Sequence, residues 1–514
     1  MRTLVLVLRD QLDRDAAVLD DLDPARDAVA MTEADVNRGP FPDHMQRLAL
    51  GWAAMRHFRD DLRERGLTVH HEPADATDRA ADVPDFLRRQ IQAHEPESVR
   101  VTEPGRAALR RRLEAVCEDE GVDLEVHADD HFLTTHRAFE AWADGRKELT
   151  LEYFYREQRR EYDVLVTDEG DPVGGEWNFD DENREAFGAE GPGMIPEGPT
   201  FERAAPTETV LDLVRTDFVD APGDLDAFRW PVTPSQAEAA LDDFIEHRLP
   251  RFGAYQDAMW TGRPFLYHSR LSAALNLRLL DPLAVVRRAE AAYHDGHAPI
   301  NAVEGFVRQV LGWREFVRGV YFLHAPEYVE MNALDADHGL PDFFWTGDTE
   351  MRCLSESVGQ VAEHGYTHHI PRLMVIGLFG LLYGVDPQRL NAWHEAMLVD
   401  AWEWVSAPNM IGMGLYADGG IVGTKPYTAS GKYIDRMSNY CSHCRYDPAQ
   451  ATGDDACPFT SLYWNFLDRH QERFSGNPRM NFQLANVRRK DDEELAAIAE
   501  RVAEVRTLAE QGEL

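Results

Sequence analysis

Hydrophobic residues in the first 130 positions follow two alternating patterns. Short continuous apolar runs, typical of strands buried on both faces of a parallel sheet, occupy residues 4–8, 67–70, 99–102 and 124–127. Between these runs, apolar residues recur at helical spacing over residues 42–65, 86–94 and 106–119. Strands that alternate with helices predict an α/β domain with a doubly wound parallel sheet over residues 1–130.

The chain changes character over residues 131–207, which we predict to be an interdomain linker. It begins with a strongly charged helical stretch at residues 150–162 and continues with several glycines and acidic residues around Trp177 and Phe179. We expect these two aromatic side chains to pack between the domains, in preference to stacking on a ligand.

From residue 208 to residue 514 the pattern is helical and predicts one large all-α domain. The amphipathic stretches predict helices at residues 235–249, 281–295, 302–323, 349–364, 371–383, 387–405 and 457–470. The longest apolar run, residues 373–385, is too short to span a bilayer and predicts a core helix. We therefore expect no membrane partner.

The charge of the chain restricts its possible partners. It carries 91 acidic and 53 basic residues, a net charge of −38 that is spread over the whole sequence and predicts a halophilic surface. Such an excess repels polyanions at low salt, so a nucleic-acid site would need local cations. Candidates are Arg251, Arg372, Lys425, Lys432 and Arg436. Five cysteines and the absence of a secretion signal predict a cytoplasmic protein, which we expect to be a monomer.

Four of the five cysteines are candidates for a metal centre. Cys441 and Cys444 form a CxxC pair, Cys457 follows in a turn-rich stretch, and Cys353 lies far upstream. Four thiolates suit zinc or an iron–sulfur cluster, and spacing alone does not choose between the two. His443 could replace one sulfur, and unligated buried cysteines are the alternative.

Two short motifs in the helical region could bind or transform a ligand. Residues 267–272, YHSRLS, place hydroxyl groups before an apolar helix, which suits a phosphate cradle, although serine also caps ordinary helices. His368 and His369 are adjacent, so at most one can enter a given pocket deeply. Imidazole suits proton donation near neutral pH, and ordinary hydrogen-bonded histidines are the alternative.

The stretch 393–424 combines tryptophans with many glycines. Core packing explains most of the tryptophans, but not the glycines or the polar Asp400, Asn409 and Asp418 in a helical domain. A close approach of the backbone to a flat ligand would explain them.

Taken together, these motifs resemble the iron–sulfur bacterial cryptochrome and photolyase family. The motifs are RDQL at 9–12, GGEWNFDDENR, HSRLS, QVLGWREF at 309–316, YTHHIPRLM, PNMIGMGLYADGG, GTKPYTASGKYI and CSHC with the distant Cys353 and Cys457. The resemblance covers nearly the whole chain. It implies an antenna-binding α/β domain, a helical FAD-binding domain, a [4Fe–4S] cluster on the four cysteines and commonly a ribityllumazine antenna.

The same resemblance implies roles for individual residues. Those implied to contact FAD are His268, Ser269, Leu271, Ser272, Gln309, Asp400, Asn409 and Asp418. Trp345 and Trp393 match the family's electron-relay aromatics, and His368 and His369 match its proton-donating pair. Three departures stand out: His394 replaces an expected aromatic residue, Ser406 replaces an expected acid near the flavin, and Arg9 replaces an expected glycine in the antenna region.

The implied activity is light-driven repair of the (6-4) pyrimidine–pyrimidone photoproduct in UV-damaged DNA, a carbon–carbon lyase reaction on flipped-out bases. The alternative is a cryptochrome, a blue-light receptor that signals through flavin photoreduction without repair. A third interpretation is a zinc-stabilised helical DNA-binding module without flavin.

Overall fold

The structure is a computed structural model that describes residues 1–34 and 39–514. Its N-terminal region contains a five-stranded parallel sheet in the order β3-β2-β1-β4-β5. The strands are β1 (Thr3–Leu6), β2 (Ala28–Thr32), β3 (Thr68–Glu72), β4 (Ser98–Thr102) and β5 (Asp123–His127). The predicted parallel sheet is confirmed, and β2 is a strand that the apolar pattern did not predict.

Helices cover both faces of this sheet, but the two faces differ. Helices α2 (Val83–His94) and α3 (Ala107–Glu120) enclose a separate small core with side chains such as Leu4 and Val99. Helix α1 (Met45–Glu64) covers the other face, and its buried residues join the large core of the helical region. One side of the α/β region therefore shares its core with the rest of the protein.

The remainder of the described chain is helical. The next helices are α4 (His136–Ala143), α5 (Leu151–Glu161), α6 (Ala205–Asp217), α7 (Pro234–His247), α8 (Leu249–Tyr255), α9 (Ser272–Asn276), α10 (Pro282–His294), α11 (Ile300–Val307), α12 (Glu315–His324), α13 (Phe343–Thr346) and α14 (Arg352–His364). They are followed by α15 (His369–Pro371), α16 (Leu378–Tyr383), α17 (Pro387–Met397), α18 (Glu403–Ala407), α19 (Gly431–Met437), α20 (Pro458–Arg469), α21 (Gln471–Phe474), α22 (Asn481–Val487) and α23 (Asp492–Gln511). No helix in the described ranges is both long and apolar enough to cross a membrane.

Three segments of the described chain are wound as π-helices. They connect α11 to α12 (Arg308–Arg314), α15 to α16 (Arg372–Gly377), and α18 to the loop that follows it (Pro408–Gly414). π-Helical turns are rare and occur preferentially at functional sites.

The prediction of one continuous helix over residues 387–405 is wrong, because the structure has two helices there. Helix α17 ends at Met397, and a turn precedes α18. The Arg47 guanidinium donates hydrogen bonds to the carbonyls of Leu398 (2.8 Å) and Ala401 (2.6 Å), and Asn276 donates one to the Asp400 carbonyl (2.8 Å). These tertiary bonds satisfy carbonyl groups that a continuous helix would have used, and so they stabilise the break.

The linker aromatics lie against helices. The Phe179 side chain is buried, and its N–H donates to the Glu304 carboxylate at 3.2 Å. The Trp177 ring faces three guanidinium groups of α5, those of Arg156, Arg159 and Arg160, at 5.5, 5.0 and 4.4 Å. Cation–π contacts of this kind stabilise the position of the linker.

Gly253 in α8 allows a close crossing with α11. A Cβ atom there would lie 2.6 Å from the Ala302 Cα, and backbone atoms cannot move aside as a flexible side chain can. We expect Gly253→Ala to lower the free energy of unfolding by about 1–3 kcal/mol, measured by urea denaturation. The control is Gly359→Ala in α14, where nothing lies within 4 Å and alanine should raise stability by roughly 0.5–1 kcal/mol. Equal effects in the two variants would contradict the steric argument.

Candidate active site

A cavity of about 260 Å³ lies in the helical region, and all three π-helical segments contribute to its wall. We call it the central cavity. Seven of the eight residues implied to contact FAD line it: His268, Ser269, Leu271, Ser272, Gln309, Asp400 and Asn409. Hydroxyl, amide and carboxylate groups thus share a wall with apolar side chains, as in most cofactor sites.

Asp418 is the exception, and the structure gives it a different role. It is not part of the cavity wall. Its carboxylate accepts hydrogen bonds from the Tyr328 hydroxyl (2.9 Å) and from the backbone N–H groups of Gly420 (2.8 Å) and Val422 (2.9 Å). Asp418 therefore stabilises its own loop rather than the wall of the central cavity.

Asp400 is held by a buried ion pair at the edge of the central cavity. Arg372 donates to both of its carboxylate oxygens, at 3.0 and 3.2 Å, and the Ser272 hydroxyl donates at 2.5 Å. Burial would raise the pKa of Asp400, but the charge of Arg372 and these hydrogen bonds outweigh it and keep that pKa below its usual value. Arg372 is thus committed to Asp400 and is not one of the free cations proposed for DNA.

The two adjacent histidines occupy different positions. The His369 side chain is exposed, and it lines the central cavity. The His368 side chain is buried behind that wall and stacks on the ring of His268, with centroids 4.1 Å apart. Of the pair, the structure brings His369 to the cavity and places His368 as packing behind it.

Burial lowers the pKa of several histidines. Desolvation is the largest cause for each, and it lowers the pKa to about 3 for His136, His268 and His394 and to about 4 for His470. In the unfolded chain these groups titrate near 6.5. Between about pH 6.5 and pH 4 the unfolded chain therefore binds more protons than the folded protein.

By linkage, the stability contributed by these histidines is complete above pH 6.5 and is lost as the pH falls towards the folded pKa values. We expect the free energy of unfolding to decrease between pH 7 and pH 4, by up to about 1.4 kcal/mol per pH unit for each histidine. Urea midpoints at a series of pH values measure this. His136→Phe removes one such group and should weaken the dependence; a midpoint that is constant from pH 7 to pH 5 would contradict the prediction.

The two tryptophans implied in electron relay lie outside the wall of the central cavity. Trp393 is fully buried, and its indole N–H donates to the Phe344 carbonyl at 3.0 Å. Trp345 is half-buried and contacts the ring of Phe41 edge-on, with centroids 4.8 Å apart. The structure therefore has one fully buried and one partly exposed indole in this region, next to the buried ring of Phe344.

Four cysteines from distant parts of the chain line one small cavity. Cys353 lies in the first turn of α14, Cys441 lies in the 3₁₀ turn Tyr440–His443, Cys444 follows that turn, and Cys457 precedes α20. His443 is not part of this wall, and Cys117 lies in the separate core between the sheet and α3. The structure thus brings together the four cysteines singled out from the sequence.

The surroundings of the cysteine cavity are tight and apolar. Tyr440, Tyr446 and Phe459 complete its wall, and a Cβ atom at Gly431 would lie 2.7 Å from the Cys457 sulfur. Burial, followed by the neighbouring cysteines, raises the pKa of Cys353, and burial raises that of Cys457 to about 11. Across residues 1–34 and 39–514, no three His, Cys, Asp or Glu side chains are placed to hold a single metal ion.

Comparison with known proteins agrees with this geometry. Residues 5–230 match the model of the deoxyribodipyrimidine photo-lyase-related protein family. Over 480 residues, 93% of this chain and 94% of the relative, the chain is 45% identical to a protein of Agrobacterium fabrum named (6-4) photolyase. The chain belongs to this photolyase family.

Solved structures of photolyases and cryptochromes share the fold of this family member. A bacterial class III photolyase from Agrobacterium tumefaciens aligns over 99% of this chain and 98% of its own, with a TM-score of 0.55 at 16% identity. A cryptochrome from Synechocystis aligns over 85% of this chain and 88% of its own, also with a TM-score of 0.55, at 12% identity. These two matches support the fold alone.

Two of this family member's departures form a hydrogen-bonded chain. The His394 Nδ1 lies 2.8 Å from the Ser406 hydroxyl oxygen, which donates to the Asn391 side-chain oxygen at 2.9 Å, and the Asn391 amide donates to Glu395 at 2.9 Å. Because the Ser406 hydroxyl donates its proton to Asn391, it can only accept from His394, so Nδ1 of His394 carries the proton. His394 lines the central cavity, so this arrangement sets the tautomer of a cavity-wall residue.

The third departure, Arg9, fills the space at the end of β1. Its side chain is buried against Gly51, lies 5.4 Å from the ring centre of Trp402 and forms an ion pair with Asp43 at 3.5 Å. A lumazine antenna in this photolyase-family chain stays a prediction.

Sequence reasoning missed several aromatic and sulfur-containing residues of the wall. Tyr366 lies in the YTHHIPRLM motif, and the Arg372 guanidinium lies 4.7 Å from its ring centre. Trp404, Met410 and Met413 also line the cavity. The only sequence signal for Trp404, Met410 and Met413 is that they belong to the aromatic and glycine-rich stretch 393–424. That signal does not distinguish residues of the cavity wall from residues of the core.

Proposed function

We propose that this chain is a light-driven (6-4) photolyase, a DNA-repair enzyme of the carbon–carbon lyase class. The observation that carries the proposal is the 45% identity to the protein named (6-4) photolyase across 94% of that relative. The central cavity supports it, because the residues that the family resemblance assigned to FAD, Asp418 aside, converge there. UV-damaged DNA is the proposed substrate.

FAD fits the donor set of the central cavity. Ser269 and His268 would lie near its phosphates, while Gln309 and Asn409 offer amide groups suited to the polar edge of a flavin ring. When bound, FAD would supply light absorption and the transfer of an electron to the lesion. The protein's part is to orient the flavin and the flipped-out bases and to exclude water from the cavity.

His369 is the proposed proton donor to the lesion. It is the member of the histidine pair that reaches the central cavity. Its exposed imidazole can form a hydrogen bond to a lesion bound in that cavity, as a general acid must.

A [4Fe–4S] cluster on Cys353, Cys441, Cys444 and Cys457 is the second proposed cofactor. A zinc ion with four sulfur ligands at about 2.3 Å needs those ligands gathered around one point. The four cysteines share one small cavity, and the family resemblance favours a [4Fe–4S] cluster over zinc there. The apolar wall of tyrosine and phenylalanine suits a site protected from solvent.

Repair of a defined lesion tests the proposed function. An oligonucleotide with a single (6-4) photoproduct is incubated with the reduced protein in molar KCl, because the surface is strongly acidic, and is illuminated with blue light or kept dark. We expect restored thymines only in the illuminated sample. If protein with bound FAD becomes photoreduced but repairs nothing, a cryptochrome-type photoreceptor replaces this proposal; if the purified protein contains zinc and no flavin, the zinc-stabilised module does.

A further inference from the structure

A second cavity, larger than the central one, lies on the other side of the YHSRLS segment. Its volume is about 570 Å³, and its walls come from linker residues 195–198, the loop 262–266 and residues 355–364 of α14. We call it the arginine cavity. A volume of this size is typical of sites for small molecules.

Arg248 provides an unsatisfied buried donor in this cavity. The residue is only 4% exposed, and one of its terminal nitrogens forms an ion pair with Asp243. The other, Nη2, is buried without a hydrogen-bond partner in the described part of the chain. A buried guanidinium N–H without a hydrogen-bond partner lowers the stability of the fold. A ligand that accepts a hydrogen bond from this N–H would therefore stabilise the site.

Arg270 is turned into the same cavity by an unusual backbone conformation. Its φ is +58°, in the left-handed region that residues other than glycine seldom adopt. Its neighbours Ser269 and Leu271 line the central cavity, whereas Arg270 lines the arginine cavity. The HSRLS segment therefore faces two cavities at once. Strained residues of this kind persist where the surrounding structure requires them, often at ligand sites.

The positive charges of the cavity repel one another. Desolvation, followed by the charge of Arg248, lowers the pKa of Arg270 to about 10, and Arg229 contributes in the same direction. Arg270 makes no ion pair with a carboxylate in the described ranges. Among the acids of the wall, Glu356 is paired with Arg352, while Glu197 and Glu363 are exposed. A bound anion would relieve the repulsion.

The rest of the wall is apolar and aromatic. The Phe265 ring lies 4.5 Å from the Arg270 guanidinium, and Trp230 is buried with its indole N–H donating to Gln46 at 2.9 Å. Pro264 and Leu266 extend the apolar surface. The cavity thus combines an anion-binding end with a surface suited to a flat ring.

We propose that the arginine cavity is a second ligand site, which binds a phosphate ester of mononucleotide size through Arg248 and Arg270. Guanidinium groups bind phosphate oxygens through paired, charge-assisted hydrogen bonds. The base would lie along Phe265 and Trp230. The site is separate from the central cavity and does not depend on the function proposed for that cavity.

Calorimetric titration of the purified protein with AMP tests this proposal, at the lowest KCl concentration at which the protein stays folded. We expect one molecule of AMP per chain and much weaker binding of adenosine. Arg270→Met should weaken AMP binding roughly tenfold to hundredfold, the loss expected for charged hydrogen bonds. Arg229→Gln, at the exposed rim, should weaken AMP binding by a smaller factor. This variant provides the test if Arg270→Met does not fold. The matched control is Arg137→Gln, an exposed arginine outside this wall.

Three results would overturn the proposal. The first is no AMP binding up to millimolar concentration, or binding that both cavity variants leave unchanged. The second is an Arg270→Met protein that purifies with less flavin than the control, which would assign Arg270 to the flavin phosphates. The third is displacement of AMP by undamaged duplex DNA, which would indicate that the two arginines bind the phosphates of a DNA strand.

Discussion

Replacing His369 by alanine is expected to reduce light-driven repair roughly 100- to 10,000-fold while leaving the flavin in place, because general acid catalysis contributes a factor of that size. The imidazole is the one of the histidine pair that lines the central cavity. His368 instead packs on His268 behind the wall. Repair is measured with the single-lesion oligonucleotide, and flavin content and photoreduction are measured by absorbance of the same preparation.

The matched control for this variant is His470→Ala. The pKa of His470 is lowered to about 4 by burial, and this residue lies beside Phe466 and Phe474, outside the wall of the central cavity. The His470→Ala variant should be somewhat less stable but should repair the lesion at the unmodified rate. If His369→Ala repaired the lesion at the rate of the unmodified protein, His369 would not be the proton donor. Loss of flavin in this variant would instead assign His369 to cofactor binding.

Replacing Cys353 by serine is expected to remove the iron–sulfur cluster and with it the stability of the C-terminal helices. Cys353 lies in the first turn of α14, and the other three cysteines lie between residues 441 and 457, so a cluster would join segments about 90 residues apart. Serine is nearly isosteric but is a poor ligand for iron. Iron content should fall from about four atoms per chain to almost none.

Cys117→Ser is the control for the cluster. This cysteine lies in the small core under α3, so the variant should keep its iron although it loses some stability. Full iron content in Cys353→Ser would contradict the ligand assignment. Stoichiometric zinc in the unmodified protein would show that the four cysteines bind zinc and not an iron–sulfur cluster. Metal analysis and thermal unfolding of both variants, purified without oxygen, give these results.

Local patterns predicted the elements well where side-chain periodicity was strong. The apolar runs at residues 4–8 and 99–102 became β1 and β4, and the amphipathic stretch 281–295 became α10, whose N-cap Asp281 accepts a hydrogen bond from Ala284 N–H. β2 has the sequence AVAMT, whose small residues carry a weak strand signal. It forms because it pairs with both β1 and β3, an environment that no local pattern contains.

The candidate site was predictable in its chemistry and less so in its geometry. The motifs around Ser269 and His369 identified residues that do share one wall. Asp418 lies in a motif of the same kind, yet its hydrogen bonds to Tyr328 and to its own loop keep it out of that wall. Whether a motif residue faces a cavity depends on the backbone direction at that residue, as the left-handed Arg270 demonstrates.

Local patterns in the sequence were enough to predict the parallel α/β region, the helical remainder and the set of four cysteines. These features rest on periodicity and on residue type, which are local properties of the chain. The position at which the helix after Pro387 breaks depends on tertiary contacts, because the Arg47 guanidinium that binds the freed carbonyls lies some 350 residues away in the sequence. The tertiary structure also decided that Arg248 and Arg270 share a cavity, since contacts between distant segments orient side chains in ways that a local pattern does not encode.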